Sequence, residues 1–142
     1  MKSTFLLLTN KPDMEPLLNF FLIDDSAFDL FIYEKLLIKS GITKSVKTFN
    51  SARDALKHLV GQAENLPDIV ILLDLQMPDM NGFEFIDEFD HLPEPLRQKV
   101  RIFMLSSTID TRDIEKAKAS QHIIDLLPKP LEIPFLKKKL AI

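Results

Sequence analysis

A run of five apolar residues at positions 69–73, followed at once by Asp74, constrains the fold of this chain more than any other stretch. An uninterrupted apolar run of this length is typical of a strand buried on both faces, as in the centre of a parallel sheet. Pro78, Asn81 and Gly82 then act as turn formers before a helical pattern starts at Phe83. Because ligands of open parallel sheets bind at the carboxyl ends of the strands, Asp74 stands where a reactive group is expected.

The composition is that of one globular domain and excludes several classes of function. The chain has 142 residues and a net charge of −3, which provides no basic field, so we expect no direct binding to nucleic acid. It contains no cysteine, which excludes disulfides and thiolate metal ligands. No apolar stretch approaches a membrane span or a signal-peptide core, so we expect a cytoplasmic protein without a membrane segment.

Apolar runs alternate with helical patterns along the chain. We expect strands over residues 17–23, 45–49, 69–73, 100–105 and 123–127, and helices over residues 27–39, 52–60, 83–89, 111–120 and 133–140. Strands that alternate with helices predict βα units and a parallel sheet with right-handed crossovers. The expected fold is therefore α/β, a doubly wound five-stranded parallel sheet in the flavodoxin-like order 2-1-3-4-5.

Three further segments have their own interpretations. Residues 1–16 include two prolines, and their apolar residues follow neither a helical nor a strand-like spacing. We therefore expect a loosely ordered extension before a domain over residues 17–142. The helix over residues 27–39 is apolar on more than one side, which favours wide burial against the sheet, with a partner surface as the alternative. Residues 91–95 contain two prolines and are expected to form a loop.

Polar residues terminate four of the predicted strands. Asp24 and Asp25 follow the first strand, Asp74 the third, Ser106 the fourth, and Lys129 the fifth. Because these ends lie at one edge of a parallel sheet, we expect the side chains to converge there. Clustered carboxylates repel one another unless a cation compensates, and Mg²⁺ is a hard ion that prefers oxygen ligands. An ionised Asp74 in this setting has the chemistry of a nucleophile that forms an aspartyl phosphate.

The same stretches resemble those of a known family. The matching segments cover residues 21–26 (FLIDDS), 73–82 (LDLQMPDMNG), 104–107 (MLSS) and 127–130 (LPKP), in the same order and spacing. The chain is similar to bacterial two-component response regulators over residues 19–142, and it resembles a chemotaxis-type receiver domain that stands alone.

This resemblance implies a role for each residue of the acidic cluster. Asp74 is the expected phosphoacceptor. Asp25 and Asp74 are expected to ligate Mg²⁺ directly and Asp24 mainly through water, with the backbone carbonyl of Gln76 as a further ligand.

The resemblance also implies how the chain contacts and senses the phosphate. Ser106 is the expected switch hydroxyl and Lys129 the phosphate partner, with a cis peptide bond between Lys129 and Pro130. Leu126 occupies the position at which the family often has a tyrosine or phenylalanine that rotates on activation, so conventional aromatic switching is in doubt.

Partners follow from the same resemblance. We expect a histidine kinase or a phosphotransfer protein as the donor and a protein effector downstream, with the chain a monomer or weak dimer. Because the sequence ends just after the fifth predicted helix, we expect no covalently attached output domain. The chain is expected to promote only its own phosphorylation and dephosphorylation and is not an enzyme.

Three other interpretations remain open from the residues alone. A flavodoxin-like FMN site needs a hydroxyl-rich phosphate loop, whereas Asp24 and Asp25 repel phosphate in the absence of a metal. A haloacid-dehalogenase-type phosphatase needs an acidic residue two positions after its nucleophile, where this chain has Gln76. A degenerate receiver that acts as a phosphorylation-independent interaction module is the main alternative, although all the expected site residues are present.

Overall fold

The computed structural model describes residues 17–142 as a five-stranded parallel sheet flanked by helices, and the predicted extension over residues 1–16 lies outside this part. The spatial order is β2-β1-β3-β4-β5, which confirms the predicted doubly wound topology. The strands are β1 (Leu18–Ile23), β2 (Thr43–Phe49), β3 (Ile69–Asp74), β4 (Val100–Ser106) and β5 (Ile123–Pro128). The helices are α1 (Ala27–Lys39), α2 (Ala52–Gly61), α3 (Gly82–Phe89), α4 (Glu94–Arg97), α5 (Thr111–Ala119) and α6 (Ile133–Leu140).

The strand β3 lies at the centre of the sheet, and all six of its residues are buried. Successive side chains of a strand point to opposite faces, so its apolar run fills two separate cores. Ile71 and Leu73 pack on the face covered by α2, α3 and α5. Val70 and Leu72 pack on the other face, against α1 and α6. The predicted burial of this strand on both faces is confirmed.

Polar caps fix where the helices begin. Ser26 precedes α1, and its hydroxyl accepts the backbone N–H of Asp29 at 3.1 Å, as expected of an N-cap. Asn81 and Glu84 form a reciprocal capping box at the start of α3. Both caps lie in the connections that follow strand ends, Ser26 after β1 and Asn81 after β3, so they determine where the next helix starts beside the carboxyl edge of the sheet.

The helix α1 departs from the expected wide burial. Tyr33 and Leu37 are buried, but Phe28, Phe31 and Ile38 are 72%, 56% and 61% exposed. A helix that lies on a sheet buries one face, so the apolar residues on its other sides remain in solvent. The prediction of wide burial is therefore wrong for the outer face of this helix.

A short helix replaces part of the loop predicted for residues 91–95. The four-residue helix α4 starts after Pro93 and has Pro95 in its first turn. Proline is compatible with that position because the first N–H groups of a helix have no partner within it. The buried Leu96 anchors α4 to the core.

None of the helices within residues 17–142 is both long enough and apolar enough to cross a bilayer.

Candidate functional site

The strand register brings the predicted site residues to one edge of the sheet. Ile23 pairs with Leu73, so the next residues, Asp24 and Asp74, lie side by side at the carboxyl ends of β1 and β3. Ser106 pairs with Pro128, and the backbone N–H of Lys129 donates to the Ser106 carbonyl at 2.9 Å. The carboxyl ends of β1, β3, β4 and β5 therefore form one continuous site.

Three carboxylates lie close together at this edge. Asp24, Asp25 and Asp74 each offer an oxygen atom, and these oxygen atoms lie within 4.8 Å of one another. Asp24 and Asp74 are each 4% exposed, whereas Asp25 is exposed. A set of oxygen donors that is buried on one side and open on the other fits Mg²⁺, which keeps several waters when it is bound by one or two carboxylates.

Gln76 approaches this cluster through its backbone. Its N–H lies 3.4 Å from Oδ1 of Asp74, a long hydrogen bond that keeps the turn after β3 close to the carboxylate. That the carbonyl of Gln76 ligates a metal remains a prediction.

The environment of Asp74 opposes its ionisation. Burial raises the pKa of this carboxyl, the Asp24 charge raises it further, and Lys129 only partly offsets both, so the pKa reaches about 6 instead of 3.8. Any further positive charge at this site therefore increases the fraction of Asp74 that is ionised.

Lys129 lies among these carboxylates and contacts three of them. Its Nζ is 2.8 Å from Oδ2 of Asp24, 2.9 Å from Oδ2 of Asp29 and 3.4 Å from Oδ1 of Asp74. Burial of the ammonium lowers the pKa of Lys129, but the hydrogen bonds that it donates to Asp24 and Asp29 and the nearby negative charges outweigh this effect, so the pKa is raised. The lysine is therefore a cation held at the edge of the sheet beside Asp74.

Asp29 is the one residue of this network that the sequence analysis did not single out. It lies in the first turn of α1, where an acidic residue is usual because it complements the helix dipole. Its place in the first turn of α1, directly after the acidic pair, is the signal that would have placed it near the site.

Ser106 is 1% exposed and its hydroxyl faces the loop that follows β4. The Oγ atom lies 2.7 Å from the carbonyl of Thr108 and 3.1 Å from Oε1 of Gln76, and it accepts the Thr108 N–H at 3.2 Å. Within residues 17–142, its hydrogen bonds all go to these two residues and none goes to Asp74. The hydroxyl is thus at the same edge of the sheet but is hydrogen-bonded to the neighbouring loops and not to the carboxylate.

The two remaining predicted positions flank Lys129. Leu126 is half-buried, pairs with Met104 and packs against the core on the α5 side of the sheet. The peptide bond between Lys129 and Pro130 is cis, the isomer that the resemblance implies.

Comparisons with known proteins agree with this arrangement. A model of the response regulator receiver domain matches residues 20–141. The structure is similar to that of a response regulator receiver protein from Dyadobacter fermentans, with 58% sequence identity, a TM-score of 0.82 and coverage of 87% of this chain and 95% of that chain. It is also similar to a two-component response regulator from Cytophaga hutchinsonii, with 27% identity, a TM-score of 0.82 and coverage of 89% and 96%.

One curated relative is a larger protein. The chain is 29% identical over 94 residues to a probable cyclic di-GMP phosphodiesterase of Vibrio cholerae, a match that covers 66% of this chain. The match spans only 20% of the length of that relative.

The family match covers nearly all of the described residues, from Phe20 in β1 to Ala141 beyond α6. It includes every strand end that contributes to the acidic edge. This chain therefore belongs to the response regulator receiver domain family.

Proposed function

We propose that Asp74 accepts a phosphoryl group in a Mg²⁺-dependent reaction and that the phosphorylated chain signals through contacts with other proteins. The observation that supports this most strongly is the placement of Asp74, a buried carboxylate between two further aspartates and the Lys129 ammonium. Its pKa of about 6 leaves it mostly ionised at neutral pH.

The proposed chemistry is a phosphoryl transfer. An oxygen of Asp74 forms a bond to phosphorus while the bond from phosphorus to the leaving group breaks, and the leaving group departs with the bonding electron pair. The leaving group is a histidine ring nitrogen of a protein donor or the acetate of acetyl phosphate. Mg²⁺, when bound, would supply positive charge to the phosphoryl oxygens.

The residues around Asp74 then stabilise the product. The Lys129 ammonium is close enough to Asp74 to donate to a phosphoryl oxygen through a small rotation of its flexible stem. Ser106 exchanges its hydrogen bond to Thr108 for one to the phosphoryl group, which couples the site to the loop after β4. When bound, the metal would be held directly by Asp25, Asp74 and the backbone carbonyl of Gln76, and mainly through water by Asp24.

The partners follow from this chemistry. The donor is a histidine kinase or a phosphotransfer protein that brings a phosphohistidine to the open side of the acidic edge. The recipient of the signal is a protein effector that distinguishes the phosphorylated from the unphosphorylated surface. The cytoplasm is the compartment in which we place the reaction, because a chain without cysteine needs no oxidising environment.

Acetyl phosphate and Mg²⁺ provide the direct test. Intact-mass spectrometry should find one added phosphoryl group on the wild type, none on Asp74→Asn, and none on the wild type in excess EDTA. Asp79→Asn is the matched control, because Asp79 follows the same strand but is exposed and paired with Arg53 at 2.7 Å. It should be labelled like the wild type.

Two results would contradict the proposal. Label retained in Asp74→Asn would show that another residue is the acceptor. A wild type that binds Mg²⁺ but acquires no label would favour the phosphorylation-independent interaction module instead.

A further inference from the structure

The contacts of Lys129 include a carboxylate that lies outside the three-residue cluster. Asp29 Oδ2 is 2.9 Å from Nζ of Lys129, nearly as close as Asp24 at 2.8 Å and closer than Asp74 at 3.4 Å. The ammonium donates hydrogen bonds to Asp24 and Asp29, whereas its contact with Asp74 is a longer ion pair. Asp74 receives the longest of the three.

We propose that Asp29 is a positioning residue that holds Lys129 in the unphosphorylated protein and slows the capture of a phosphoryl group at Asp74. The inference rests on the proposed function, because it concerns the same lysine and the same acceptor. Asp29 lies outside the four segments in which the sequence resembles response regulators.

The charges at the edge of the sheet explain why this carboxylate opposes phosphorylation. Asp24, Asp25 and Asp74 share a position where one divalent cation can reach all three, but Asp29 is not in that group. Its nearest cation within residues 17–142 is Lys129. An approaching phosphoryl donor is an anion, so it is repelled by Asp29 and competes with it for the same ammonium.

The helix α1 fixes Asp29 in this position. The backbone N–H of Asp29 donates to the Ser26 hydroxyl at 3.1 Å, which anchors the first turn of the helix. One turn further along, Tyr33 is 5% exposed and packs in the core beneath α1. Because Asp29 is on an anchored turn, Lys129 with its flexible stem is the partner that moves when a phosphoryl group arrives.

The test compares second-order rate constants for phosphorylation by acetyl phosphate in saturating Mg²⁺. Asp29→Asn keeps the size of the side chain and removes its charge, so it should react roughly two- to five-fold faster, as expected for losing a partly exposed ion pair. Asp29→Glu keeps the charge and should stay close to the wild type. Circular dichroism and thermal unfolding verify that each variant is folded.

Glu34→Gln is the matched control. Glu34 lies on the same helix, and the substitution makes the same change in net charge without touching Lys129. Its rate should equal that of the wild type. A second measurement is the affinity for beryllofluoride, a phosphoryl mimic, which should rise by a similar factor in Asp29→Asn alone.

The outcomes separate this inference from the function on which it rests. If the wild type is labelled at Asp74 but Asp29→Asn reacts at the same rate or more slowly, Asp29 does not restrain Lys129 and the inference is wrong. The same holds if Glu34→Gln accelerates the reaction equally, since the effect is then one of net charge. If the wild type acquires no label at all, the proposed function fails and this inference fails with it.

Discussion

Asp74 is the residue whose surroundings most oppose the charge that its proposed chemistry requires. Desolvation and the neighbouring Asp24 both favour its neutral form, and Lys129 compensates only in part. In the absence of a metal, this conflict has an energetic cost that the folded state alone bears. The carboxylates that destabilise the folded state here are the same groups that the proposed function requires for binding a cation and a phosphoryl group.

The pH dependence of stability should reveal this cost. Because the pKa of Asp74 is raised from 3.8 to about 6, the folded chain holds a proton between these pH values that the unfolded chain releases. The contribution of Asp74 to the stability of the folded state is therefore most favourable below pH 4, and it is lost as the pH rises through about 6. In EDTA, the free energy of unfolding of Asp74→Asn should exceed that of the wild type by about 1–3 kcal/mol at pH 7.5, and the two values should be equal near pH 4.

Urea unfolding at a series of pH values measures this difference. Asp79→Asn, which alters an exposed carboxylate, should show no comparable dependence. Saturating Mg²⁺ should stabilise the wild type at pH 7.5 by about 2.7 kcal/mol at a hundredfold excess over its Kd. Equal stabilities of the wild type and Asp74→Asn in EDTA at pH 7.5 would contradict the electrostatic conflict.

At the scale of elements, the turn between β3 and α3 determines where Asp74 lies. The Gly82 N–H donates to the Leu75 carbonyl at 2.9 Å, so α3 begins directly against the end of the strand. A Cβ on Gly82 would lie 3.1 Å from Cα of Leu75 and 3.2 Å from the carbonyl oxygen of Asp74. These are backbone atoms, so they cannot avoid the added Cβ by a change of rotamer as a side chain can.

Gly82→Ala should therefore destabilise the protein by about 1–3 kcal/mol, the range for overpacking in a tight site. Gly61→Ala is the control, because a Cβ there has nothing within 4 Å and the position lies at the end of α2. It should be neutral or more stable by about 0.5–1 kcal/mol. Chemical unfolding of both variants makes the comparison, and similar stabilities would show that the turn tolerates the added methyl group.

The elements also show what the sequence predicts well and what it does not. The strands β1, β3, β4 and β5 were predictable because their apolar runs end in polar residues, and β3 differs from its predicted span by only its final aspartate. The helix α4 was missed because Pro93 and Pro95 suggested a loop, although a first turn accepts proline.

Within the site, the edge that each residue occupies was predictable, but side-chain partners were not. The sequence predicts that Ser106 lies at the end of a strand, yet its rotation toward Thr108 depends on the loop that follows. Asp29 escaped notice because a first-turn aspartate has an ordinary explanation, and only the fold brings it within 2.9 Å of a residue 100 positions away. The exposure of Phe28 depends on which face of α1 meets the sheet.

At the scale of the whole molecule, two helices that cover the same face of the sheet near the site are anchored unequally. Ala117 is the buried residue of α5, whereas α3 on the same face buries Gly82, Phe85, Ile86 and Phe89. The loop that precedes α5 contains Thr108, which bonds to the Ser106 hydroxyl. We therefore expect a change at Ser106 to reach α5, which buries fewer residues than α3 does.

Binding of a phosphoryl mimic should alter this surface. Beryllofluoride with Mg²⁺ should change amide hydrogen exchange over residues 108–126, with a coupling free energy of about 1–3 kcal/mol. Leu126 lies in this region and is half-buried, so we expect it to repack without the rotation of an aromatic ring. The helix α2, which lies away from Ser106, is the internal control. Unchanged protection over residues 108–126 with the mimic bound would locate the responsive surface elsewhere.

The ion pair between Lys129 and Asp24 joins residues 105 positions apart in the chain. During synthesis, ribosomes therefore release the aspartates of β1 and β3 well before the lysine that neutralises them. Until β5 has emerged and paired with β4, a nascent chain has the acidic residues of the site without their internal cation. The charge-compensated form of the site therefore requires the complete five-stranded sheet, because its internal cation follows the last strand.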